Sequence, residues 1–129
     1  YNRNTEKKLQ RIIFACDEIA EVLDKTGLSK QQKDEILKIE SELSIIARQG
    51  RAFGIHLVLA TQRPDAAILN GQIRNNIDTR ICGRADNVLS QIILDNTDAS
   101  DKIAKSSQGR FLTNSGKIFQ AYWFDENIL

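Results

Sequence analysis

Methionine is absent from the 129 residues, and the first residue is Tyr1. Nothing in the chain can serve as an initiator, so the expectation is a piece of a longer protein. Proline occurs once and glycine seven times, and there is no internal repeat and no low-complexity tract. There are two cysteines, Cys16 and Cys82. Both sit in apolar runs, so they read as buried thiols of a reducing compartment rather than as a disulfide framework. The one histidine is His56. Without a second histidine and with distant cysteines a zinc site has no support, and an apolar strand around His56 predicts a core residue. Neither charge sign prevails: 18 Lys and Arg face 17 Asp and Glu, for a net +1. A polybasic nucleic-acid tail is excluded, while a local basic face is not. No apolar run exceeds six residues, far short of a membrane span, and no signal peptide is evident. What remains is 41% hydrophobic and 27% charged, the balance of one soluble globular domain.

The order of elements follows from hydropathy patterns. Residues 1–8 are polar and read as a flexible lead-in. Arg11-Ile12-Ile13-Phe14-Ala15-Cys16 runs straight into Asp17-Glu18. Such a continuous apolar run predicts a strand buried on both faces, as in a parallel sheet. Ile19, Val22 and Leu23 then predict a short helix, stopped at Gly27. Ser29 and Gln32 have the spacing of a capping box. Behind them Ile36, Ile39, Leu43 and Ile46 form one apolar helical stripe. Lys33, Asp34, Glu35, Lys38, Glu40 and Glu42 form a solvated face. That helix is expected to end near Gly50 or Gly54. Residues 55–60 predict a second buried strand. A short helix and loop occupy 66–76, and Thr79–Gly83 is a third strand. Asp86 or Asn87 caps a helix carrying Val88, Leu89, Ile92 and Ile93. A weak helical turn lies within 96–105. Residues 109–113 and 117–124 flank Asn114-Ser115-Gly116 as a β-hairpin. The alternation predicts an α/β fold with a mainly parallel sheet flanked by helices and a C-terminal β-hairpin.

Chemistry concentrates at the predicted strand ends. A carboxylate at the C-terminal tip of a buried strand holds the magnesium shell in nucleoside-triphosphate enzymes. A second carboxylate beside it orients the attacking water. Asp17 and Glu18 offer both, although acids there also suit the start of a helix. Gln62, at the tip of the next strand, can reach a γ-phosphate or the lytic water; its plainer reading is a turn residue before Pro64. Arg51 precedes that strand, at the far end from Gln62. It cannot serve its own site, but it can serve a neighbouring subunit's as an arginine finger in trans. Its plainer reading is a surface cation matched to a helix dipole. Gly116-Lys117 is no phosphate loop: Ile118 replaces the required Ser or Thr, and no glycine stands five residues earlier.

Gly50-Arg51-Ala52-Phe53-Gly54-Ile55-His56-Leu57-Val58-Leu59-Ala60-Thr61-Gln62-Arg63-Pro64 closely resembles the central signature of the FtsK/SpoIIIE family of DNA-translocating ATPases. Asn76–Ile81, Ser90–Asp95 and Gly109–Leu112 resemble later family elements. The resemblance spans roughly residues 9–124. It implies that residues 1–129 are a partial RecA-like P-loop NTPase motor domain, from the Walker B strand onward, with the Walker A half outside the chain. It makes Asp17 the Walker B carboxylate, binding Mg2+ through water, and Glu18 the catalytic glutamate. It makes Gln62 the sensor and Arg51 the arginine finger supplied in trans, within a homo-hexamer that binds ATP between subunits. Double-stranded DNA is the implied partner, contacted through Arg63 and Arg74. Two further family positions fall near Asn87 and Gln91, neither of which is basic, and Arg84 is the substitute.

The resemblance also implies a motor on the cytoplasmic side, in a parent that can be membrane-anchored. The string Asp17–Lys25 and the long helix at 29–49 resemble coupling ATPases of Gram-positive conjugative elements. Two other readings accompany this one: a type VII secretion ATPase moving protein, and a non-hydrolysing nucleotide-binding module. Without its phosphate loop the isolated chain is expected not to hydrolyse ATP. With the first strand's neighbours supplied by the rest of the motor, the fragment alone is expected to self-associate or exchange strands.

Overall fold

A computed structural model describes residues 10–62 and 71–122 of the chain. The lead-in at 1–8, Arg63, Pro64, the start of the short helix expected at 66–76 and the last residues of the hairpin lie outside the described residues. The chain divides into two compact units, Tyr1–Ile77 and Asp78–Leu129.

In the first unit, β1 (Ile12–Cys16) pairs in parallel with β2 (Ile55–Leu59), in the register Ile12 to Ile55 through Cys16 to Leu59. Backbone bonds carry the pairing past the strand ends: the Ala60 N–H donates to Cys16 at 2.8 Å and the Ile19 N–H donates to Ala60 at 2.9 Å. These two bonds fix the path by which β1 turns into α1 (Ile19–Leu23).

The long α2 (Lys30–Gln49) starts with the full capping box at Ser29 and Gln32. The Gln32 N–H donates to the Ser29 hydroxyl, and the Ser29 N–H donates to Gln32 Oε1 at 3.0 Å. Caps of this kind are worth about 1 kcal/mol each. The core of this unit is Ile19, Leu23, Leu43 and Ile73, with Cys16, Ile36, Leu57, Leu59 and Ile77 packed against it. Ile73 lies on the short α3 (Gly71–Asn75).

Two expectations for this unit are corrected. The strands are not buried on both faces. Side chains alternate across a sheet, and only the face carrying Cys16, Leu57 and Leu59 meets the core. On the other face Ile13 is 69% and Val58 54% exposed, and His56 on the same side is exposed rather than a core residue. A continuous apolar run encodes two coverable faces; here helices pack on one of them. The face of α2 is also turned by one position. Ile39 is exposed and Glu40 is buried at 6%. Glu40 keeps its charge paired, accepting from Lys25 Nζ at 2.6 Å. Ile36, Glu40 and Leu43 share a helical stripe as well as Ile36, Ile39 and Leu43 do. The ammonium arriving from the loop after α1 makes the acid the inward member.

In the second unit, β3 (Ile81–Cys82), β4 (Arg110–Thr113) and β5 (Ile118–Gln120) form an antiparallel sheet in the order β3-β4-β5. The strand expected at 79–83 therefore joins the hairpin instead of extending the parallel sheet. The hairpin's own turn recruits it. The Asn114 side chain accepts from the Arg80 N–H at 3.2 Å and donates to the Asp78 carbonyl at 3.0 Å. Helices α4 (Asn87–Leu94) and α5 (Asp98–Lys102) cover this sheet through Leu94, Ala99 and Ile103, against Cys82 and Leu112. Asp86 is the N-cap of α4, accepting from the Leu89 N–H at 2.8 Å. Ser90, fully buried, ties the two helices: its hydroxyl donates to Asn96 at 2.7 Å and accepts from the Ala99 N–H at 3.1 Å.

Candidate active site

The parallel register brings the C-terminal tips of β1 and β2 together, which is where open α/β sheets bind ligands. Asp17 is the exposed first residue beyond β1, and Glu18 follows at the N-cap of α1. Glu18 does not cap its own helix. Its carboxylate turns across to β2 instead. The Thr61 hydroxyl donates to Glu18 Oε1, and the Gln62 N–H donates to Oε2 at 2.8 Å. Both carboxylate oxygens thus accept from consecutive residues of one strand tip, which fixes the plane of the group. Gln62 itself is exposed at this tip. Asp17, Glu18 and Gln62 are therefore assembled at one edge of the sheet. Thr61 completes the arrangement. It escapes a reading of the sequence that takes it only as the end of an apolar strand; a hydroxyl immediately before the glutamine was the available signal.

Arg51 lies at the opposite end of β2. It belongs to a 3-10 turn, Gly50–Phe53, between α2 and the strand. The five residues of β2 span roughly 16 Å at the usual strand rise, so Arg51 and the Glu18 carboxylate stand at opposite edges of the sheet. Glycines shape the turn. Gly54 has φ +76°, a left-handed conformation that side chains resist, and a Cβ on Gly50 would come within 3.1 Å of the Ile55 carbonyl oxygen. Close packing at Gly50 and the reversal at Gly54 set the arginine on an exposed rim beside Arg48 and Phe53.

Of the expected basic residues, Arg74 and Arg84 are described, in the first and the second unit. Arg74 is half-buried on α3, and exposed Arg84 donates to the Lys105 carbonyl in the second unit. Arg63 lies outside the described residues. Asn87 and Gln91 are exposed on α4. Among the described residues no group of three His, Cys, Asp or Glu is clustered to hold a metal ion. Both cysteines are free, and burial pushes the Cys82 thiol up, away from nucleophilic thiolate behaviour. No helix of the described residues is long and apolar enough to cross a membrane.

No family model matches the chain. It is 32% identical over 127 residues to DNA translocase FtsK of Haemophilus influenzae, across 95% of this chain and 22% of that protein. The solved structure of the pCW3 conjugation coupling protein TcpA, a monomer form with ATPγS, superimposes with a TM-score of 0.87 at 42% identity. That match covers 98% of this chain and 37% of the TcpA chain. The cytoplasmic domain of the type VII secretion ATPase EccC of Thermomonospora curvata shares the fold, with a TM-score of 0.67 at 23% identity, over 92% of this chain and 13% of that one. The chain thus spans about a fifth of the curated relative and somewhat over a third of the coupling protein.

Proposed function

The chain is a segment of the FtsK/SpoIIIE type, and from that premise we propose that it forms the catalytic-carboxylate half of an ATP-driven motor that pumps double-stranded DNA, in conjugation or in chromosome segregation. The observation that carries this reading is the strand-tip cluster. Asp17 and Glu18 stand side by side at the end of β1, with Glu18 bound to the tip of β2 that bears Gln62. The chain contains no phosphate loop of its own, so the activity belongs to the parent protein.

The residues present suit an ATP-magnesium ligand. Mg2+ is commonly held by one or two carboxylates with waters and substrate phosphates, so the single exposed carboxylate of Asp17 is adequate without a cluster of three. Bound Mg2+ and ATP would supply a neutralised, transferable phosphoryl group. Asp17 would bind the ion through water. Glu18 would orient the attacking water and take up its proton on a carboxylate oxygen. The exposed Gln62 amide would report on the terminal phosphate. Arg51 would act on the nucleotide of the adjacent subunit in a homo-hexamer, because its own site is a strand's length away. Arg63, Arg74 and Arg84 would grip DNA through phosphates, a contact that is sequence-independent and weakens steeply with salt. The motor would work on the cytoplasmic side of a membrane to which the parent can be anchored.

ATP hydrolysis by the parent protein, with and without double-stranded DNA, tests this reading. Turnover is expected to rise with DNA and to lose that stimulation as salt is raised from 50 to 200 mM, the range over which phosphate contacts fade. Turnover indifferent to DNA would favour a protein-moving ATPase, and nucleotide binding without turnover would favour an interaction module.

A further inference from the structure

We propose that Thr61 is a positioning residue that clamps the Glu18 carboxylate and couples it to Gln62. Glu18 is tethered by two donors that belong to adjacent residues: the Thr61 side chain on Oε1 and the Gln62 backbone on Oε2. An ionised carboxylate has about four acceptor sites. The two donors fix which way the group faces. Glu18 does not cap its own helix, and the β2 tip donates to both of its carboxylate oxygens.

The same contact gives the site a mechanical link. The residue that donates its backbone N–H to Glu18 is also the residue whose side chain projects at the tip. Any shift of Gln62 toward a ligand moves the peptide that holds Oε2. Thr61 decides how faithfully Glu18 follows, because it supplies the second point of attachment. Two attachments at one tip pass its rotation to the carboxylate, and losing the hydroxyl weakens that hold. The partly buried position of Thr61, behind the exposed Gln62, is suited to a holding role and not to contact with a ligand. This inference rests on the reading of Glu18 as the group that orients water.

Thr61→Val and Thr61→Ser in the parent protein test it. Valine keeps the branched shape and removes the donor; serine keeps the donor. The first readout needs no nucleotide: carbodiimide-driven coupling of an amine to carboxyl groups, read by fragment mass spectrometry, with neighbouring exposed Asp17 as internal reference. Labelling of Glu18 relative to Asp17 is expected to rise severalfold in Thr61→Val and to return to the wild-type rate in Thr61→Ser. The second readout is steady-state kinetics. The kcat for ATP is expected to fall by about ten- to a hundredfold in Thr61→Val with KM nearly unchanged, and to recover in Thr61→Ser. Wild-type labelling of Glu18 in Thr61→Val overturns the clamp. Increased labelling with undiminished kcat overturns its positioning role in the reaction. If no variant, nor the wild type, turns over ATP, the ATPase reading fails while the labelling still decides whether Thr61 holds Glu18.

Discussion

Glu18→Gln in the parent protein is expected to lower kcat for ATP by about 10² to 10⁴, the usual worth of a positioned general base. Nucleotide affinity should stay close to wild type. Glutamine fills the same space, yet its amide nitrogen cannot accept a hydrogen bond. One oxygen remains for either the Thr61 hydroxyl or the Gln62 N–H, which now hold both oxygens of the acid. The Thr61 hydroxyl can turn to accept from the amide nitrogen while the Gln62 N–H keeps the oxygen, so the side chain stays placed but cannot take up a proton. Single-turnover hydrolysis beside equilibrium binding of a fluorescent ATP analogue separates the two effects. A kcat within tenfold of wild type would remove Glu18 from the chemistry. A large loss of affinity with normal kcat would make it a binding residue instead.

Arg51→Ala is expected to cost about 10³-fold or more in kcat, within the range of arginine fingers supplied by a neighbour. The stronger result comes from mixing. With Arg51 and Glu18 at opposite ends of β2, a complete site needs the arginine of one subunit and the glutamate of the next. A ring of Arg51→Ala subunits has no complete site, and neither has a ring of Glu18→Gln subunits. An equal mixture restores roughly one interface in four, since subunits join head to tail in a cyclic ring. Turnover should accordingly reappear on mixing two inactive proteins. If Arg51 acted within its own subunit, every subunit in the mixture would still be defective and no activity would return.

The parts of this site that were legible in the sequence are those set by neighbours along the chain. The capping box of Ser29 and Gln32 needs only residues three apart. The ends of the apolar runs at Cys16 and Ala60 place Asp17, Glu18 and Gln62 at strand tips whatever else the fold does. The opposition of Arg51 and Gln62 needs only that the strand between them be extended. Long-range partners were not legible. Ile39 and Glu40 are both compatible with an inward face of α2, and Lys25, fifteen residues away from Glu40, is what selects the acid. Residues 79–83 have strand character, but nothing local tells a parallel neighbour from an antiparallel one; the Asn114 side chain decides it. The apolar run of β1 overstates its burial because hydropathy records the capacity to be covered, not the presence of a cover. Thr61 reads locally only as the end of an apolar strand, because its bond crosses 43 residues to Glu18.

These strand-tip residues are expected to drive movement of DNA. The most direct measurement is displacement of a triplex-forming third strand from linear duplex DNA by the parent protein supplied with ATP, beside the Glu18→Gln variant. Displacement by the wild type is expected at a rate that follows ATP turnover, with none by the variant although it still binds the duplex. ATP hydrolysed on the DNA while the third strand stays in place would contradict this role.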